Sequence, residues 1–191
     1  MVKQIILILI SIVLTSCYTT KYLDKQDYIL KKNSIVINGN KNNRIAGISN
    51  KEINTIIKQK PNKKIIGVLP FHLWVYNISN PEKKNWVHDY LRRIGERPVI
   101  LNNQLIEKST HQIKSHFENN GYFTSEVDSE ITYKQKKAFV NYNIKTGQSY
   151  VINNIQYETT GNHAIDKLIK DHQANAEIKK DDIFTYNSLN N

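Results

Sequence analysis

Cysteine is all but missing from this chain: one residue, Cys17, among 191. That excludes an internal disulfide and any cysteine-based zinc site. Glycine and proline are also scarce, at seven and four, whereas tyrosine reaches eleven and isoleucine is abundant. This balance favours a mixed α/β or α+β chain. No HExxH, GxSxG, P-loop or GxGxxG pattern occurs, so the common metal, nucleophile and phosphate sites lack their signatures. His111 and His116 stand five apart, on different faces of any helix. Carboxylates are sparse and have no acid–base partner nearby. The sequence therefore offers no catalytic residue, no metal site and no cofactor site, and a small-molecule substrate is not expected.

Long hydrophobic runs are missing too. Mean hydropathy is −0.54 and apolar residues make up 39%, which suits a globular chain of one or two small domains. The longest run, "ILILISIVLTSC" from Ile6 to Cys17, is shorter than the roughly 20 apolar residues a spanning helix needs. With Lys3 ahead of it, it fits the apolar region of a secretory signal over residues 1–16. Its ending, Leu14-Thr15-Ser16-Cys17, resembles the bacterial lipobox, which makes Cys17 the expected lipidation site, its acyl chains (palmitate among them) on the sulfur and the amine. Several acyl chains hold a protein to a bilayer where one does not. The alternative is a signal cut elsewhere, with Cys17 a chance residue.

The formal charge is +10, falling to +9 once Lys3 leaves with the leader. Lysines are spread over every segment and form no continuous basic tract, so charge is read as a solvated surface. Export by the leader argues against nucleic acid as a partner. Residues 17–33, "CYTTKYLDKQDYILKKN", are polar without helical period and read as a tether. They lack the acidic cluster of many surface-exposed lipoproteins, which favours the periplasmic face.

Beyond the tether, "SIVIN" (Ser34–Asn38) closed by Gly39 reads as a strand and turn. Ser49-Asn50 cap a helix carrying Ile53, Ile56 and Ile57. Downstream the plan recurs, with Ile155 and Tyr157 as strand, Gly161 as turn, and Ile165, Leu168 and Ile169 at the same helical spacing. Between the copies lies the clearest element. Asn102-Asn103 cap a helix with Leu105, Ser109, Ile113 and Phe117 on one stripe, Ile106 and His116 beside it, and Gly121 as its left-handed stop. A hairpin follows. Val127, Ser129, Ile131 and Tyr133 alternate with Glu126, Asp128, Glu130 and Thr132; after Lys-Gln-Lys-Lys, Ala138, Val140, Tyr142 and Ile144 alternate in turn.

The βααββ order, the helix ending "ENNGYF" and the linker "IKTGQSYVINNIQYE" resemble POTRA domains. "KQKPNKKIIGVLPFHLWVYNISNPEKKNW" and "LRRIGERPVIL" resemble the N-terminal region of BamA/TamA-family outer-membrane assembly proteins, particularly the TamL-like lipoprotein variety. The resemblance implies an α+β fold: a three-stranded sheet backed by two helices over 34–147, an insert at about 60–100, and an incomplete second unit over 148–191. No series of barrel strands is seen, so the chain reads as a natural short protein or a fragment of a longer one.

The implied function is a lipid-anchored periplasmic arm at the outer membrane that contacts unfolded outer-membrane proteins or envelope assembly partners. The alternative is a stand-alone envelope lipoprotein, an interaction module unconnected with barrel assembly. POTRA domains are thought to add client strands to a sheet edge. Here the expected edge is Ser125–Tyr133, with Val127, Ser129, Ile131 and Tyr133 as its client-binding residues. Its outward Glu126, Asp128 and Glu130 either select a partner or discourage pairing. In "IIGVLPFHLWVYNI" two readings stand: Phe71, Leu73 and Trp74 pack as core, or Trp74 and Tyr76 join Trp86 in a membrane-interface surface. Trp86, Tyr90 and Ile94 recur every four residues and predict a short helix packed beside the insert.

Overall fold

The computed structural model describes residues 23–38, 45, 48–65, 70–80, 82–158, 160–176 and 178–186. Cys17 and the leader, and the expected turn at Gly39, lie outside them. The first strand, β1, is Ile29–Ile37, with Ile29, Leu30, Ile35 and Ile37 buried. It starts five residues before "SIVIN", so Ile29–Asn33 belong to the sheet and not to a tether. The Lys31-Lys32 pair interrupts the apolar alternation there and hides the strand from pattern reading.

Helix α1, Asn50–Ile56, begins where the Ser49 side chain accepts from the Glu52 amide at 3.2 Å. Two short helices follow, α2 (Phe71–Ile78) and α3 (Trp86–Ile94), in the region expected as an insert. Helix α4, Asn103–Asn119, opens with Asn102 Oδ1 accepting from the Leu105 amide at 3.2 Å. It closes on Gly121, whose φ of +87° only glycine adopts without strain. The buried stripe of α4 is Ile106, Ser109, Ile113 and Phe117, one turn-face of a 3.6-residue period.

Strands β2 (Glu126–Lys134) and β3 (Lys137–Lys145) form the hairpin, turning at Gln135-Lys136. The sheet order is β1-β3-β2. Ile29 N–H donates to the Lys136 carbonyl and Asn38 N–H to that of Ile144, so β1 and β3 run the same way. The central strand alternates strictly, burying Ala138, Val140, Tyr142 and Ile144. This is the α+β, three-stranded, helix-backed architecture expected.

The chain divides into two compact units. One comprises Met1–Ser34, Lys58–Ile106 and Ser129–Asn141; its buried apolar residues include Leu30, Leu73, Val75, Ile106 and Val140. The other comprises Ile35–Ile57, Glu107–Asp128 and Tyr142–Asn191, with Ile37, Ile53, Ile57, Ile113, Phe117 and Tyr142 buried. In the second unit Asn38 and Thr146 hold the strand ends together: Asn38 Nδ2 donates to Thr146 Oγ1, and the Thr146 amide donates to Asn38 Oδ1, both at 3.1 Å.

The last segment departs from the expected repeat. Helix α5, His163–His172, forms with Asn162 as its cap, but Ile155 and Tyr157 lie in no strand. A strand needs a neighbour for its backbone groups. The pairing found is instead at Val151, which bridges Ile183 in antiparallel fashion, with Phe184 N–H donating to the Tyr150 carbonyl. Ile165 and Leu168 stay exposed on α5.

Candidate functional site

The sheet has two outer strands, and the chain treats them differently. Along the start of β1, Val99–Leu101 runs as a short extra partner. Leu30 N–H donates to the Val99 carbonyl, Leu101 N–H donates to that of Tyr28, both at 2.8 Å, and Ile29 bridges Ile100. Two buried amides hold this partner in place. Gln59 Nε2 donates to the Ile100 carbonyl at 2.6 Å, and its Oε1 accepts from the Asn102 amide at 3.0 Å. Asn62 does the same one step away: Nδ2 to the Arg97 carbonyl at 2.7 Å, Oδ1 from the Val99 amide at 3.0 Å. Asn33 on β1 adds a bond to the Gln59 carbonyl at 2.7 Å.

A primary amide carries a donor pair and an acceptor in one plane, the complement of a backbone peptide. Gln59 and Asn62 therefore act as fixed staples on an extended segment. Sequence reading missed both. The available signal was an amide on either side of Lys60-Pro61, a proline that supplies no backbone donor of its own.

Strand β2 has β3 as its one strand neighbour among the described residues. Of the residues expected to line its binding face, Val127 is buried and Ile131 half-buried, while Ser129 and Tyr133 are exposed. Tyr133 rests on Tyr28, ring centroids 4.5 Å apart. Among the acids, Glu126 pairs with Lys145 at 3.3 Å. Asp128 and Glu130 are exposed and make no ion pair among the described residues. The strand thus presents a backbone edge with two unneutralised carboxylates beside it.

Elsewhere, no group of three or more metal-ligating side chains occurs among the described residues. Nor is any described helix long and apolar enough to cross a membrane. Burial pushes the Tyr142 phenol up, with the Ser109 hydroxyl working against it. Burial, then Lys64 and Lys137, pulls the Lys31 ammonium down. Both shifts follow from burial in the packed sheet.

A family model described as "POTRA: Surface antigen variable number repeat" matches residues 31–147. The chain belongs to the POTRA family. The match begins inside β1 and ends just after β3, so the POTRA unit takes in both α2 and α3. Among solved structures, the chain is similar to one titled "Crystal structure of Haemophilus Influenzae BamA POTRA3-5", at 10% identity and a TM-score of 0.30, covering 88% of this chain and 85% of that one. No curated protein matches.

Within the POTRA unit the α2–α3 region divides its apolar residues between core and surface. Leu73 and Val75 are buried core, whereas Phe71 and Trp74 are exposed and lie against each other at 5.9 Å between centroids. Tyr76 is half-buried where the helices meet: a Cβ on Gly95 would come within 2.6–2.8 Å of Tyr76 backbone and Cβ atoms. Trp86, Tyr90 and Ile94 form the short helix expected of them, and that helix packs beside α2, but the three side chains are not part of a buried core. They face solvent, because α3 is held by its polar side.

Proposed function

We propose that this POTRA protein is a lipid-anchored module at the periplasmic face of the outer membrane, attached through Cys17, that receives extended segments of unfolded outer-membrane proteins or assembly partners. A client strand adds to the outer edge of β2, bonding by backbone and placing alternate side chains beside Val127, Ser129, Ile131 and Tyr133. The observation that supports this is the contrast between edges: the start of β1 is already occupied by Val99–Leu101, while β2 has no strand on its outer side among the described residues. Residues 148–191 are the start of a second unit in this reading, with the Val151–Ile183 pairing as its beginning. The lipobox resemblance and the likeness of "KQKPNKKIIGVLPFHLWVYNISNPEKKNW" and "LRRIGERPVIL" to assembly proteins support the cellular setting.

Successive residues of an edge strand in an antiparallel pair point their N–H groups alternately to the neighbour and to solvent. Of Glu130→Pro and Ile131→Pro, therefore, one removes an outward donor and spares the hairpin. The variant that keeps the wild-type melt should lose photo-crosslinking of clients to a probe at Ser129. Undiminished crosslinking in that variant rules out this edge. Labelled fatty acid should enter the wild type and be absent from Cys17→Ala; label retained in that variant removes the anchor from the proposal.

A further inference from the structure

Helix α3 is mounted inside out. Four of its five apolar residues, Trp86, Val87, Tyr90 and Ile94, fall within about 100° of one another on a helical wheel, and each of the four is exposed, Trp86 to 80%, while Leu91 at the margin of the stripe is half-buried. The opposite side, which an ordinary surface helix turns to water, is tied to the protein. His88 Nδ1 accepts from the Asn80 amide at 3.2 Å. The Arg92 guanidinium donates to the carbonyls of Asn80 at 2.8 Å and Lys83 at 3.3 Å, and also pairs with Asp89. Asn85 caps the helix by accepting from the His88 amide. At the far end Gly95 is pressed against Tyr76, and the Glu96 amide donates to the His72 carbonyl at 2.9 Å. These bonds fix the rotation of α3 about its axis, so the apolar stripe cannot turn inward.

We propose that this stripe docks on an anionic bilayer surface. Two observations select that occupant over a protein groove. The first is residue type: a tryptophan, a tyrosine and aliphatic side chains on a short helix are the set that settles at the headgroup level. The second is charge. Residues 58–100 carry nine lysines and arginines against three acids, six of the ten net positive charges of the whole chain. Lys83, Lys84, Arg93 and Arg97 are exposed near the stripe, and Arg93 extends over the Tyr90 ring at 5.6 Å. Such long side chains reach past an apolar body to phosphates at its rim. The acid nearest the stripe, Asp89, is already paired with Arg92.

The chain has two tryptophans, so Trp74→Phe leaves Trp86 as the reporter of this face, whatever else holds the protein to a vesicle. On phosphatidylcholine vesicles with about 30 mol% phosphatidylglycerol and brominated acyl chains, its emission should shift to the blue and be quenched. Arg93→Ser should weaken that quenching about fivefold, since a basic residue at such a surface contributes about one kcal/mol. Tyr90→Ser with Ile94→Ser should weaken it at least about tenfold. Neither change touches the bonds that hold α3, and an unaltered melt confirms a folded variant. Unquenched Trp86 emission on these vesicles overturns the proposal. Equal quenching on pure phosphatidylcholine, unmoved by salt, overturns the anionic occupant. A blue shift that grows with protein concentration in the absence of lipid assigns the stripe to a second copy of the chain and overturns it as well.

Discussion

The two outer strands of one small sheet show how a chain closes one edge and leaves the other available. Strand β1 begins against Val99–Leu101, stapled by Gln59 and Asn62. Among the described residues strand β2 has no second strand neighbour, and Asp128 and Glu130 stand exposed along it. An unpaired edge invites promiscuous pairing, and proteins guard it by covering it or by placing charges along it. Here both devices occur, one on each edge. Covering is permanent, since the staples are buried and bonded at both ends. Charge is a weaker guard, because Asp128 and Glu130 are solvated and a partner with suitable charge removes the penalty. In the proposed function this less guarded edge is the one that takes a client strand.

The sharpest way to break the contrast is to remove the staples. Gln59→Ala leaves the Ile100 carbonyl and the Asn102 amide without partners and should cost about 2–4 kcal/mol in urea unfolding. Adding Asn62→Ala should release Val99–Leu101, seen as faster amide exchange at Leu30 and Leu101 and as new client crosslinks at β1. A double variant as stable as wild type would show that side-chain staples do not close this edge.

A smaller effect is expected on the other side. Asp128→Asn with Glu130→Gln should change stability by no more than about 0.5 kcal/mol, as surface substitutions do. The same pair should raise crosslinking at Ser129 severalfold and bring on self-association, because the guard is gone. An unchanged yield would mean that these charges neither guard nor select.

The mildest test concerns the strand both edges share. Burial raises the folded-state value of the Tyr142 phenol, so the native state holds that proton after the unfolded chain has lost it. The contribution is complete below pH about 10 and is lost as pH climbs through the native value. Lys31, lowered by burial, works in the opposite direction over the same range. Tyr142→Phe should accordingly flatten the alkaline fall of the melting temperature; an identical fall in both proteins would remove Tyr142 as its source.

Much of this fold was legible in the chain. The α4 stripe, the Ser49 cap, the Gly121 stop and the alternation on β3 all follow from local periodicity and turn chemistry. The start of β1 was not legible, since Lys31-Lys32 sits in the middle of its pattern. Nor was the fate of the repeated triplet. Ile53 on α1 is 0% exposed and its counterpart Ile165 on α5 is 44% exposed, although the two helices carry the same spacing. Spacing marks which face is apolar, and only neighbours determine whether it is covered. The same holds for α3, whose Trp86-Tyr90-Ile94 pattern foretold a helix beside the insert but not that these side chains would stay exposed.

What the sequence determined by itself is therefore the capped helices, the hairpin and the family, because capping, period and glycine placement act within a few residues of chain. Tertiary structure decided which edge stays open, which apolar faces remain wet and which amides serve as staples. Those outcomes depend on groups 26–43 residues apart finding one another, and no local rule carries that information.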